Sequence, residues 1–374
     1  LESAVEQINT DLEVLLNEIH LEYSSIEIFG TPRRIVAYIG ELAGQQPNLE
    51  RTVKGPPAAR AFEADGTPTG AAIGFARSRG IPVDELQIQE LDGGRYVVAA
   101  VSEKGRPAQT VLAEKLPELI AALHFKKSMR WNRYNVSFSR PIRWLLALHG
   151  NELVSFTYAG LTSRRETRGL RFLEPAEKQI SDPHAYFQFL EEQGIILEND
   201  QRRRVIEGQM AKLAADVDGE IAADRKLLTE VVNLVEAPTA LLGEFDRSHL
   251  QLPREVLVSV MKKHQRYFPV ERDGELLPYF ITIANKPAHT GTSCQGADAI
   301  KAGNEHVIRA RFADAEYFIR EDQKIPLEVF RADLSTLTFQ VQLGSMLDKS
   351  QRIEKLVEAF SDQFDFGHVD INVA

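Results

Sequence analysis

Cysteine is almost missing from this chain: Cys294 is the only one in 374 residues. A lone thiol excludes an internal disulfide framework and a cysteine zinc site. The nine histidines stand nowhere in H-x3-H or HExxH spacing, so each reads as a packed or surface residue and no metal site is expected. No apolar run approaches the roughly 20 residues that a membrane span needs. The N-terminus also lacks the basic, apolar and small-residue order of a signal peptide, so the expectation is a cytoplasmic protein with no membrane partner. GxxxxGK[ST], a GxGxxG following a strand and a nucleophile elbow are missing too. No phosphate cradle can be named, and no catalytic residue is assigned.

At this length two or more domains are expected, each able to bury ample apolar surface. The formal charge of −10 argues by itself against a general nucleic-acid binder. Its distribution argues the other way. Between Ala121 and Phe172, ten Lys/Arg residues stand against two acids, Glu152 and Glu166, which leaves the remainder all the more acidic. Such a chain repels polyanions in general and steers them to one region. The competing reading is that these cations pair with carboxylates from distant segments as ordinary ion pairs.

Two parts of this stretch carry most of the charge. His124 to Trp131 interleaves Lys126, Lys127 and Arg130 with Phe125 and Trp131, a composition that tracks a phosphate backbone while offering rings for stacking. A Trp in such a segment is more often a core residue, and Trp131 is read first as one. Ser163 to Arg171 places Arg164, Arg165, Arg168 and Arg171 in a loop broken by Gly169, and four guanidiniums are costly to hold together without an anion. Lys126, Lys127, Arg130, Arg164, Arg165 and Arg168 are therefore the leading candidates for phosphate contact. Between the two parts, Arg143 to Leu148 reads as a buried strand.

The other segments alternate helix and strand. An amphipathic helix with Leu12, Leu15, Leu16 and Ile19 on one side comes first. Strands Ser25 to Phe29 and Arg34 to Ile39 flank a Gly30-Thr31-Pro32-Arg33 turn that presents Arg33 and Arg34, either to phosphate or to Glu27 and Glu41. Lys54-Gly55-Pro56-Pro57 is expected as a rigid exposed loop, Gly70 to Arg79 as a helix ended by Gly80, Val97 to Val101 as a strand after an Asp92-Gly93-Gly94 turn, and Thr110 to Leu123 as a helix. Asp182 to Leu213 reads as two helices, with Arg202, Arg203 and Arg204 beginning the second as a solvated face or an anion partner. A further helix starts at Leu227.

From Pro253 to Arg320 polar residues sit at definite points. Pro253 opens a helix whose Val256, Leu257, Val260, Met261 and His264 share one face, expected to be buried. Lys262, Lys263 and Arg266 lie on the other face near its C-terminus, favourable to the macrodipole and available to an anion. Tyr267 to Val270, an Asp273-Gly274 turn and Tyr279 to Ala284 read as a hairpin. After a loop to Asp298, Asn304 is expected to cap a helix with Ile308, Phe312, Ala315 and Ile319 as its apolar stripe. Arg309, Arg311 and Asp314 are expected to form an internal polar network. Beyond Gln323 a long helix is expected, with Met346, Ile353, Leu356, Phe360 and Phe364 at helical spacing.

Three ordered stretches, MKKHQRYFPV, LLPYFITIAN and GNEHVIRARFADAEYF, resemble the β subunit of the bacterial two-subunit glycyl-tRNA synthetase. Gly30-Thr31-Pro32-Arg33-Arg34, Lys54-Gly55-Pro56, Met129-Arg130-Trp131, Ser139-Arg140-Pro141 and Thr167-Arg168-Gly169 agree, so the resemblance covers essentially the whole chain. It implies an α+β fold of mixed and antiparallel sheets with packed helices, similar to the editing-type domain of the phenylalanyl-tRNA synthetase β subunit. The segments expected are 1–180 (α+β), 181–235 (helical insertion), 236–322 (α+β, completing the core) and 323–374 (the beginning of a helical, HD-like domain).

By the same resemblance the chain is the N-terminal part of a longer subunit in an α2β2 assembly. It would hold tRNA(Gly) so that the 3′ end reaches the active site of the α subunit, where ATP and Mg are used, with no cofactor on this chain. One departure stands out: relatives have His where this chain has Leu170, which shifts the reading there from base contact to charge-driven binding. Two other functions stay open. One is hydrolytic editing, for which glycine, the smallest amino acid, leaves little need. The other is an assembly module that binds only the α subunit.

Overall fold

Ala4, Ile8, Leu12 and Leu16 recur every four residues, and this row is the buried face of helix Glu2–Glu18. It packs with helix Ala108–Ala122 against Val154, Phe156 and the inner side of an antiparallel hairpin, Ser25–Gly30 with Ile35–Gly40. Each fully buried leucine of this core contributes about 1.5–3 kcal/mol. The computed structural model describes residues 1–63, 65–91, 93–171, 177–286 and 294–361. It forms two units: Leu1–Lys212 with Ala223–Ala240 and Ile283–Thr292, and Leu213–Ala222 with Leu241–Thr282 and Ser293–Ala374. The class is α+β with small antiparallel sheets, as predicted.

In the first unit a three-stranded sheet places Gly94–Glu103 between Leu49–Pro57 and Gln87–Leu91. Helix Gly70–Arg79 lies with it around Ala61, Ala72 and Val97. Thr69 caps that helix by accepting from the Ala71 N–H, and Gly80 ends it at φ 71° as the sequence suggests. Lys54-Gly55-Pro56-Pro57 is not a loop. It ends the first strand, with a register shift between Lys54 and Pro57 that accommodates residues without a donor N–H. Gly93 takes φ 78° in the predicted turn; Asp92 lies outside the described residues.

The predicted strand Arg143 to Leu148 is reduced to a two-residue ladder, Leu148–His149 with Glu152–Leu153. Its apolar run does look like a strand, but no single neighbour takes its backbone: the Leu145 carbonyl accepts from Arg164 N–H at 2.9 Å and the Ala147 carbonyl from Val154 N–H at 3.0 Å. Helices Pro183–Glu192, Asn199–Ala215 and Arg225–Val232 follow as expected, the first and last capped by Asp182 and Asp224.

A second three-stranded sheet has the order Pro238–Glu244, Glu275–Asn285, Phe268–Arg272. Asp273 (φ 50°) and Gly274 (φ 83°) supply the positive φ its hairpin needs. In the second unit Ile308 and Phe312 are fully buried against Leu257, Met261, Tyr267 and Phe280. Four expectations fail here. The helix opening at Arg254 becomes a π-helix over Val260–Gln265, whose wider turn leaves His264 exposed rather than on the buried face. Asn304 caps nothing, since it lies inside helix Cys294–Asp322. Arg309, Arg311 and Asp314 are exposed, not an internal network. The stretch after Gln323 is not one long helix.

Instead, helix Leu327–Asp333, a small hairpin (Thr338–Gln340 with Gly344–Ser345) and helix Met346–Ser361 follow one another. Ser345 and Asp348 explain the restart, because each accepts a hydrogen bond from the other's backbone N–H, a reciprocal cap. Ile353, Leu356 and Phe360 are 50%, 55% and 51% exposed; Phe364 lies outside the described residues. Among the described residues no helix is long and apolar enough to cross a membrane.

Asn304 has a different task. Its Oδ1 accepts from the Tyr267 hydroxyl at 2.5 Å, while the Tyr267 ring stacks on Phe280 at 4.7 Å. Burial pushes the Tyr267 phenol up to about 12. In the unfolded chain the phenol ionises near about 10, so the stability this group contributes is complete below that pH and is lost as pH rises towards about 12. Tyr267→Phe is expected to cost about 1–2 kcal/mol at neutral pH and to flatten the alkaline fall, both read from urea unfolding at several pH values.

Candidate nucleic-acid interface

The two basic parts of the first unit are joined through turn residues. Phe125 packs edge-on against Phe138 at 4.6 Å, closing the base of a hairpin formed by Met129–Arg130 and Ser137–Phe138. At its tip, Asn132 accepts from the Tyr134 N–H at 3.1 Å and donates to the Ala159 carbonyl at 2.8 Å. The Tyr134 ring covers Gly160, where a Cβ would lie 2.2 Å from a ring carbon, so a side chain is excluded there. Gly160 belongs to the turn of the next hairpin, Thr157–Tyr158 with Leu161–Thr162. Ser163 then fixes the exit: it is buried, donates to the Val154 carbonyl and accepts from the Phe156 N–H. Arg164 follows directly.

The partners of each cation decide between phosphate binding and internal pairing. Lys126, Lys127, Arg140, Arg143 and Arg164 are exposed, and none has a side-chain hydrogen bond or ion pair among the described residues. Arg130 donates to the Asn135 carbonyl at 2.9 Å, and Arg165 donates to the carbonyls of Ser181 and Asn151. A carbonyl orients a guanidinium without cancelling its charge. Arg168 is different, pairing with Glu177 at 2.6 Å. Both side chains are about half exposed (42% and 55%), a setting in which such a pair is worth about 0–1 kcal/mol.

Arg33 and Arg34 face inward. The predicted partners Glu27 and Glu41 are replaced by Glu236, which is fully buried. It accepts from Arg34 Nε and Nη2, both at 3.2 Å, and from the Thr31 hydroxyl at 2.9 Å, with Arg33 Nη1 at 3.5 Å. Arg34 Nη1 donates to the Arg168 carbonyl and Arg33 Nη1 to the Gly169 carbonyl. The Arg34 guanidinium is thereby consumed in holding the turn to the 168–169 loop. Lys262 and Lys263 belong to the other unit, in the π-helix; Lys263 is exposed and Lys262 half-buried. Leu170 is core: it is 4% exposed, and its N–H donates to Gln193 Oε1 at 3.3 Å.

Arg202 is the residue that sequence reasoning misplaced. It is not on a solvated face but fully buried, donating to the carbonyls of Gly30 (2.8 Å), Ile196 (2.7 Å), Leu197 (2.7 Å) and Val232 (3.3 Å). The signal was present, since Arg202, Ile206, Met210 and Ala214 recur every four residues and all four are buried. Burial lowers its pKa to about 10, opposed by the charge of Glu236, so it stays protonated at neutral pH. Glu236→Gln is expected to destabilise the chain by about 3–5 kcal/mol, because it leaves buried guanidiniums without their carboxylate. Lys126→Ala is expected to stay within about 0.5 kcal/mol. Denaturant unfolding of the two variants measures the contrast.

Comparison with known proteins agrees with this arrangement of motifs. Residues 1–373 match the family described as glycyl-tRNA synthetase beta subunit. The glycine--tRNA ligase beta subunit of Moorella thermoacetica is 46% identical over 354 residues, covering 94% of this chain and 50% of that protein. That of Clostridioides difficile is 39% identical over 354 residues, covering 95% and 51%. The Arabidopsis thaliana protein named glycine--tRNA ligase, chloroplastic/mitochondrial 2 is 41% identical over 356 residues, covering 95% of this chain and 33% of its own length. The chain thus spans about half the length of the bacterial relatives it matches. With a match running almost from end to end, the chain belongs to the glycyl-tRNA synthetase beta subunit family.

Proposed function

We propose that this chain is the tRNA-holding part of a two-subunit glycine--tRNA ligase. It binds tRNA(Gly) through phosphates and sets its 3′ end towards an active site on the α subunit, where ATP and Mg are used, within an α2β2 assembly. Its contribution is proximity rather than bond chemistry. The observation that carries the reading is the set of exposed cations without a carboxylate partner, Lys126, Lys127, Arg140, Arg143 and Arg164, in a chain whose formal charge is −10. Arg130 and Arg165 belong with them, already aimed by carbonyls. Arg168 can exchange Glu177 for phosphate at little cost. Arg33, 29% exposed in its side chain, contributes at the edge, and Arg34 supports it from inside. Lys262 and Lys263 are proposed as a separate contact.

The test is charge reversal in the whole enzyme. Lys126→Glu, Lys127→Glu and Arg164→Glu together are expected to weaken tRNA binding and glycylation while the assembly stays intact. The slope of log affinity against log salt should become shallower by about 2–3, since each phosphate contact contributes about 0.9 to it. Unchanged affinity and slope in an intact assembly would falsify the reading and favour a module that binds only the α subunit.

A further inference from the structure

The first unit contains a half-open cavity of about 1080 Å³. Its wall is apolar at Leu116 and Ile120, aromatic at Phe138 and Trp144, and cationic at Arg140 and Arg143. The two arginines flank Pro141-Ile142 on an exposed stretch of chain, and neither guanidinium has a partner among the described residues. An apolar hollow bearing rings and unneutralised guanidiniums suits a ligand with a flat face and an anionic group. Phe125 also lines the cavity, and the next two residues are Lys126 and Lys127, exposed and without partners among the described residues. Positive charge therefore continues from the cavity out along the chain. A small amphiphile has no use for that continuation, whereas a phosphodiester strand has.

We propose that this cavity takes an unpaired nucleotide of a single-stranded RNA segment, with its phosphates on Arg140 and Arg143 and its base against the Phe138 ring and the apolar wall. The proposal rests on the RNA-holding reading above and adds to it a site for an unpaired nucleotide other than the 3′ end that reaches the α subunit. The same chemistry, a nucleoside phosphate, is also present in a free nucleotide.

Trp144 lies in the wall and is one of two tryptophans in these 374 residues, so in a protein of this sequence Trp131→Phe leaves it as the sole tryptophan reporter. This variant is titrated with a single-stranded RNA tetranucleotide, a nucleoside monophosphate and inorganic phosphate, while retention of blunt duplex RNA is measured separately. The tetranucleotide is expected to shift Trp144 emission saturably. The midpoint should move at least about tenfold in R140A/R143A, which removes charge-assisted hydrogen bonds, and also in Leu116→Trp, which fills the hollow. Equal response to the monophosphate assigns the site to free nucleotides and keeps its chemistry. An equal response to inorganic phosphate, no shift at all, or a midpoint unmoved in both variants overturns the proposal. If duplex retention remains salt-dependent in that event, the cavity alone is lost; if it does not, the RNA-holding reading falls as well.

Discussion

A carboxylate with no exposed surface is tolerable only if its charge is met on every side, and Glu236 is met by Arg34 in two-point contact, by Arg33 and by the Thr31 hydroxyl. The same arginines reach on to the carbonyls of residues 168 and 169, and Arg202 reaches those of residues 30, 196, 197 and 232. Asn285 secures the other side, its Oδ1 accepting from the N–H groups of Glu236 and Ala237. Segments as far apart in sequence as residues 30 and 285 are thus tied at one point by hydrogen bonds from side chains. The gain is specificity of arrangement more than net stability, because desolvating the charges offsets much of their attraction.

The basic region beside this point needs such fixing. Its ladders, from Met129–Arg130 to Glu166–Arg168, are two or three residues long, and ladders that short hold little on their own. Rigidity comes instead from side chains that bond to backbone: Asn132 to Ala159, Ser163 to Val154, Arg165 to Ser181, Arg130 to Asn135. Two of these four are arginines that are oriented without being neutralised. A lysine could not substitute, since its single ammonium lacks the planar fork that lets one guanidinium face hold a carbonyl and the other stay open to phosphate.

What the sequence made legible follows from range. Local rules recovered the first helix, the Gly80 stop, the Asp273-Gly274 hairpin and the helices after Asp182, because caps, positive φ and apolar spacing act over a few residues. The family was legible from three long motifs. Failures came where a distant partner decided: the fate of Arg34 depended on Glu236, the task of Asn304 on Tyr267, and the Arg143–Leu148 segment on which strands would meet it. The π-turn at Val260–Gln265 defeated a reading that assumed one helical period throughout. For the cations, sequence gave density, but only placement separated those held by carboxylate from those left open.

That separation bears on how a chain of net charge −10 would hold RNA under the function proposed above. At physiological ionic strength charges are screened beyond about 8 Å, so the acidic remainder would do little to a phosphate brought into contact with Lys126 or Arg164. What it would do is disfavour phosphate elsewhere through its negative field. Concentrating cations in one stretch with two acids, while burying Arg34 and Arg202 to organise the backbone, gives arginine two opposite duties, set by whether the guanidinium is buried or left at the surface.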